Sequence, residues 1–309
     1  DGFRFDLMGL IDLETLKTVR DDLIQICPDI MLYGEPWTAV PPEEAGIRRV
    51  SSKFMITGTG IAAFNDHFRN DLKGEPEGKD PGYVQNGSHR DGLKRGIQGA
   101  IYDWTWHPVD AVHYADCHDD LTLWDKLAVS AADVTERERI QMQLLAIGIL
   151  LVSQGIPVLH AGVELLRTKG GNPNSFDAPD SVNLIDWERK RQYPEVFEFT
   201  RGMIALRRRH PVFRLPTREE IESRLHFLDK KCPSSNCIAF TIYGGRLEDE
   251  LWNDALVLIN PESHSLEFHL PPERWGIYAI GMKASPDESL EVAEDRLVVP
   301  ARSLAVLGK

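Results

Sequence analysis

An α/β fold followed by an all-β module is what this 309-residue sequence predicts, and three observations predict it. Short apolar strands alternate with helical stretches from residue 1 to about 213. Those strands end in polar residues, acidic ones above all. After Pro211 the pattern changes to short β-type runs separated by turn residues.

The elements follow in order. "GFRFDL" alternates in period two, with Phe3 and Phe5 expected to pack outward against helices. Asp12 then caps a helix whose apolar face is Leu13, Leu16, Leu23 and Ile26. "DIMLYGEPW" (29–37) is the next strand, ended by Gly34 and Pro36. From Pro41 to Trp106 the chain reads as irregular, with a strand end at "GIAAFND" (60–66) and a surface loop at "DPGYVQNGSHRDG" (80–92). "AVHYADCHDD" (111–120) and "GIPVLHAG" (155–162) are strands, and 136–152 and 198–210 are helices. Five strands cannot close a barrel that needs eight strands and about 250 residues. The expected architecture is therefore the C-terminal half of a TIM (β/α)8 barrel over 1–213, with its front half absent. A small all-β antiparallel sandwich domain is expected over 214–309.

Composition narrows the functional classes. A formal net charge of −13 argues against a nucleic-acid partner, which needs a Lys/Arg-rich surface. The longest apolar run, "LLAIGILLV" (144–152), falls far short of the ~20 residues a bilayer requires, so no membrane partner is expected. It reads as a buried helix. Cys27, Cys117, Cys232 and Cys237 are too few and too scattered for a disulfide framework or a zinc site. "CPSSNC" (232–237) could close a small loop, and free thiols fit equally, which leaves the compartment open.

The chemistry rests on three carboxylates at strand ends: Asp6 after "FRF", Glu35 after "LYG" and Asp119 after "YADCH". In a barrel of this kind catalytic groups sit at the C-terminal ends of strands. Arg4 and Asp6 share one strand face, so the arginine is expected to hold Asp6 ionised, as suits a nucleophile. Glu35 lies between Tyr33 and a Pro-Trp pair, where desolvation suits a general acid. His118 beside Asp119 could bind adjacent sugar hydroxyls. Taken singly, each group is more often a cap, a surface salt bridge or an orienting pair. Their joint order at successive strand ends is what points to glycoside hydrolysis by two carboxylates in unequal settings.

These segments resemble the alpha-amylase superfamily of glycoside hydrolases. "GFRFDLMG" (2–9) is similar to its nucleophile segment, "LYGEPW" (32–37) to the acid/base segment of its debranching members, and "YADCHDDLTLWDKL" (114–127) to its transition-state-stabiliser segment. "SQGIPVLHAGVELLRTKGGNPNSFDAPDSVNLIDW" (153–187) is similar to the last barrel strand and following loop of type I pullulanases. The resemblance implies hydrolysis of α-1,6 branch linkages in pullulan, limit dextrins, branched starch or glycogen, with retention. Asp6 would be the nucleophile, Glu35 the acid and then base, and Asp119 the stabiliser, with Arg4 and His118 in the same subsite. Trp37 would be an aromatic platform, and Asn172, Asp177 and Asp180 would contact the glucan.

No cofactor and no metal ligand are expected, and a structural calcium is not readable from this segment. The missing front half of the barrel is the expected partner, so the chain alone is expected to show no turnover. Two departures stand out: the family more often has Asn where Asp120 stands, and Gln where Val163 stands. The competing readings are an isoamylase-like or α-1,4-acting member of the superfamily, and a non-catalytic glucan-binding fragment.

Overall fold

The computed structural model describes residues 1–37 and 51–309. Five strands, β1 (Gly2–Phe5), β2 (Met31–Gly34), β3 (Ala62–Phe64), β4 (Ala111–Tyr114) and β5 (Ile156–Val158), form one sheet in sequence order. Every pairing in it is parallel. Such an arrangement needs crossover connections, and helices supply them. Helix α1 (Leu13–Ile26) joins β1 to β2; α2 (Asp66–Lys73) and α3 (Arg90–Ile97) lie between β3 and β4. Helices α4 (Leu123–Ser130) and α5 (Glu136–Val152) join β4 to β5, and α6 (Pro194–Arg209) follows β5. The sheet is a half-barrel, open along β1 and β5 among the described residues.

The capping residues set the helix starts. Asp12 accepts from the Thr15 amide at 2.9 Å, as the sequence predicts. Thr135 and Glu138 form a reciprocal capping box at the start of α5. From Ile140 to Val152 nearly every α5 side chain is buried, because both the half-barrel and the following sheet pack on it. No described helix is long and apolar enough to cross a membrane.

The second region is antiparallel. Strands β6 (Leu225–Phe227), β7 (Ile238–Tyr243), β8 (Asp254–Asn260), β10 (Trp275–Ile280), β11 (Lys283–Ala284) and β14 (Ser303–Gly308) join in the order β11-β10-β14-β8-β7-β6. Strand β12 (Glu291–Ala293) adds to β10, while β9 (Leu266–His269) and β13 (Arg296–Val299) form a separate two-stranded ribbon. Strand alternation gives the large sheet two apolar faces. Val257, Ile259, Leu304 and Val306 join the core of α5 and α6, while Leu256, Leu258 and Leu307 pack with Phe268 and Val299 of the ribbon. The sheet is thus covered by helices on one face and by the ribbon on the other. Cys232 and Cys237 are free thiols.

Four expectations are corrected. The strand read as 111–120 ends at Tyr114, so Asp119 lies on the loop beyond it. The stretch 80–92 contains a helical turn, Tyr83–Asn86, and the start of α3. Tyr83 and Val84 are buried there, and Gln85 ties the turn down by accepting from the Gly82 amide and donating to the Lys73 carbonyl. Ile26 is exposed at the end of α1, where the helix has passed its packing partners. Phe3 is exposed because β1 is an edge strand of the described sheet; Phe5 does pack against the α1 side.

His113 on β4 pins the sheet to its helices. Its ring stacks on Phe68 of α2 with centroids 4.3 Å apart. Nε2 donates to the Gly96 carbonyl at 2.9 Å and Nδ1 accepts from the Asn65 side-chain amide at 3.3 Å. Burial pushes its pKa down to about 3. The unfolded chain takes up that proton near the ordinary value of about 6.5, so acid favours unfolding between those limits. Stability should fall as pH drops from about 6.5 towards 3, and His113→Gln should make the fall shallower. Urea midpoints followed between about pH 7 and about pH 4 check this; equal slopes for the two proteins would contradict it.

Candidate active site at the ends of β1, β2 and β4

Register brings two of the predicted carboxylates side by side. Arg4 pairs with Tyr33 and Phe5 with Gly34, so Asp6 and Glu35 are the next residues in line on adjacent parallel strands. Arg4, Asp6, Tyr33 and Glu35 all fall in the period-two class of one sheet face. That face, turned away from the helices, carries an aromatic row. Tyr33 and Phe64 meet edge-on with centroids 5.5 Å apart, and Phe64 and Tyr114 do so at 4.9 Å. Trp37 packs, partly buried, against this cluster.

Arg4 spans both acids. Its Nη2 donates to Glu35 Oε1 at 2.7 Å and its Nη1 to Asp6 Oδ1 at 3.2 Å, while Cζ lies 5.9 Å from the Phe64 centroid. The expected pairing of Arg4 with Asp6 is present, yet the shorter bond goes to Glu35. Asp6 has left the strand and stands largely in solvent, whereas Glu35 is buried, deeper than Arg4 itself. The apolar setting expected for Glu35 is therefore an ion-paired one.

The backbone fixes Glu35 further. Its second oxygen accepts from the Leu7 amide at 3.2 Å, a donor aimed by the left-handed turn at Leu7 (φ 41°). The Glu35 amide donates to the Phe5 carbonyl, and the Gly9 amide donates to the Glu35 carbonyl, both at 3.1 Å. Gly34 is required by this close approach: a Cβ there would meet the Phe5 carbonyl oxygen at 2.5 Å.

Asp119 sits on the β4 loop, with its Oδ2 3.4 Å from His118 Nε2 and both side chains more than half exposed. Among the described residues no hydrogen bond joins it to Arg4, Asp6 or Glu35. The β4 loop is instead held by residues the sequence did not single out. Lys169 donates from Nζ to the His118 carbonyl at 2.9 Å, and its own amide donates to Asp125 at 2.8 Å. Asp116 accepts from the Leu123 amide at 2.8 Å and lies 3.4 Å from His160 Nδ1. Nothing in local pattern marks Lys169 out; its role comes from a fold that sets the loop after β5 against the loop after β4.

Asp120, where the resemblance implies Asn, lies on the same loop. Its φ is 59°, a left-handed position that Asp and Asn tolerate better than most residues. Its added charge faces Arg69, whose Nη1 is 3.8 Å from Oδ2 and which also donates to the Tyr114 hydroxyl at 2.8 Å. Nearby, burial pushes the Cys117 thiol up to about 11 and the Lys73 ammonium down to about 8, the latter against the pull of Asp116. Asn172 turns its side chain onto the Asn174 amide of its own loop at 2.9 Å. Asp177 and Asp180 stand exposed, and no described contact joins any of these three to the carboxylates.

Parallel strands whose C-terminal ends converge on acidic side chains define a chain of the α/β-barrel class, of which it holds five strands. Over the C-terminal part of those proteins, the chain is homologous to type I pullulanases. It is 33% identical over 281 residues to the pullulanase of Bacillus subtilis strain 168, covering 88% of this chain and 38% of that relative. The structure of the Bacillus acidopullulyticus pullulanase matches all of the chain with a TM-score of 0.92 at 37% identity, over 38% of its own length. The Anoxybacillus sp. LM18-11 pullulanase, complexed with maltotriose, matches all of it at 0.89 and 33% identity, over 43% of its length. No family model matches the chain. The chain thus spans well under half the length of these relatives.

Lys169→Met should leave the fold standing and free the β4 loop. Losing one charge-assisted hydrogen bond, worth roughly 1.5 kcal/mol, corresponds to about tenfold faster opening. Hydrogen exchange of residues 117–121 measures this; unchanged rates would show that Lys169 does not hold the loop.

Proposed function

We propose that the chain carries the catalytic carboxylates of a pullulanase, which hydrolyses α-1,6-glucosidic branch linkages in pullulan and related α-glucans by double displacement. The observation that carries this reading is Arg4, whose one guanidinium holds Asp6 and Glu35 on adjacent strand ends. Neighbouring strands lie about 4.8 Å apart. One guanidinium reaching both acids supports the short separation of a retaining pair, ~5–5.5 Å, over the ~6.5–9.5 Å of an inverting one.

The roles follow from position. Asp6, exposed beside Arg4, attacks the anomeric carbon. Glu35, buried and oriented through both oxygens, protonates the departing glycosidic oxygen and then takes the proton of the incoming water. Asp119 and His118, exposed on the β4 loop, bind the sugar where positive charge develops. Arg4 orients both acids and belongs, with the Tyr33–Phe64–Tyr114 row, to the floor of the subsite. Trp37 extends this aromatic surface. Asn172, Asp177 and Asp180 contact the glucan only if their loop closes over it. The chemistry uses protein groups and water alone.

The open edges at β1 and β5 support a further element of the reading. An N-terminal segment of the same enzyme pairs with both edges and completes the barrel, with 1–213 and 214–309 acting as half-barrel and β domain. The chain's partial coverage of its relatives supports this too.

Three outcomes are expected. The 309-residue chain alone releases no sugar from pullulan. In the completed barrel, Asp6→Asn and Glu35→Gln each lower kcat by about a thousandfold, within the range that general acid–base and nucleophilic groups contribute. The product is maltotriose, first released as the α anomer by proton NMR. Panose or isopanose would favour an α-1,4-acting enzyme, and full activity in Asp6→Asn would favour a glucan-binding role.

A further inference from the structure

We propose that Cys117, His118 and Asp119, on the β4 loop, form a three-donor site for a soft divalent transition-metal ion of the zinc class. The thiol sulfur, an imidazole nitrogen and a carboxylate oxygen all lie within 4.8 Å of one another. His118 Nε2 and Asp119 Oδ2 are 3.4 Å apart. That is about the edge of a tetrahedron built on bonds of ~2.0–2.2 Å, so one ion reaches both atoms with little movement.

The donor set selects the ion. Thiolate with imidazole and carboxylate suits zinc or cobalt(II), whereas calcium and magnesium take oxygen cages. One cysteine is enough for a mixed site, which is why the scatter of the four cysteines did not reveal it. The competing contacts are weak: the Cys117 sulfur has the Asp119 carbonyl oxygen at 3.8 Å, and His118 and Asp119 face solvent. Lys169, bonded to the His118 carbonyl, steadies the loop from outside the donor set. Three protein donors leave a fourth position to water, as in open zinc sites.

Binding there occupies the Asp119 carboxylate, so the ion and a glucan exclude each other. That competition rests on the function proposed above; uptake of the ion does not.

Cobalt(II) titration of the 309-residue chain, followed by electronic absorption, tests the site. One equivalent should raise a thiolate-to-cobalt charge-transfer band in the near ultraviolet, and one equivalent of zinc should abolish it. Cys117→Ser should lose the band, and His118→Ala should weaken cobalt affinity at least tenfold. Cys27→Ser should match the wild type. Both loop variants should keep the wild-type far-ultraviolet circular dichroism, since serine is close in size to Cys117, which packs at the edge of the Phe64–Tyr114 cluster, and His118 faces solvent. Absence of the band in the wild type, or its survival in Cys117→Ser, would overturn the proposal. Competition is read separately: zinc should inhibit pullulan cleavage by the completed barrel and spare the Cys117→Ser variant. Uptake without inhibition would leave the metal site standing and overturn the assignment of Asp119 to the glucan subsite.

Discussion

The guanidinium of Arg4 is the interaction on which the arrangement of the site depends. Two ionised carboxylates on adjacent strand ends repel one another, and by less where one of them, as Asp6 here, stands in solvent. A single cation bonded to both offsets that repulsion. Its planar fork matters as much as its charge, because it meets two acids on two strands at once. The register of β1 on β2 delivers this geometry, and Gly34 permits it by letting the strands approach without a Cβ between them.

The rest of the molecule reads as support for that edge. Helix α5 lies between the half-barrel and the antiparallel sheet, and its side chains join one continuous core with β7, β8 and β14. The strand that leads to the β4 loop is anchored from behind by His113, and the loop itself is clamped by Lys169 and Asp116. The second region therefore acts on the site through packing: it holds α5 and α6, which back the strands.

Much of this was legible in the sequence because the signals are local. Period-two alternation placed β1, the Asp12 cap placed α1, and the apolar run from 144 to 152 placed α5. Asp6 and Glu35 were legible because strand ends are where such a fold exposes polar groups. Arg4 was legible only in part: period two ties it to Asp6, while its shorter bond to Glu35 needs a register between strands 31 residues apart. Lys169, Asp116 and His160 were illegible for the same reason, since each acts across loops that only the fold brings together. The buried turn at Tyr83 was missed because its Gly- and Asn-rich neighbours read as a surface loop. The mixed donor cluster at 117–119 carries no spacing signature, since one cysteine followed by His and Asp matches no metal-site pattern.

Everything proposed for the site turns on Asp6 as the nucleophile of a retaining pair bracketed by Arg4. Trapping measures it most directly: the completed barrel is incubated with a slowly hydrolysed α-maltosyl fluoride, quenched in acid, and digested for peptide mass mapping. A maltosyl adduct is expected on the peptide containing Asp6, absent from Asp6→Asn and accumulating further in Glu35→Gln. An adduct on another carboxylate, or turnover to the inverted anomer with none, would contradict it.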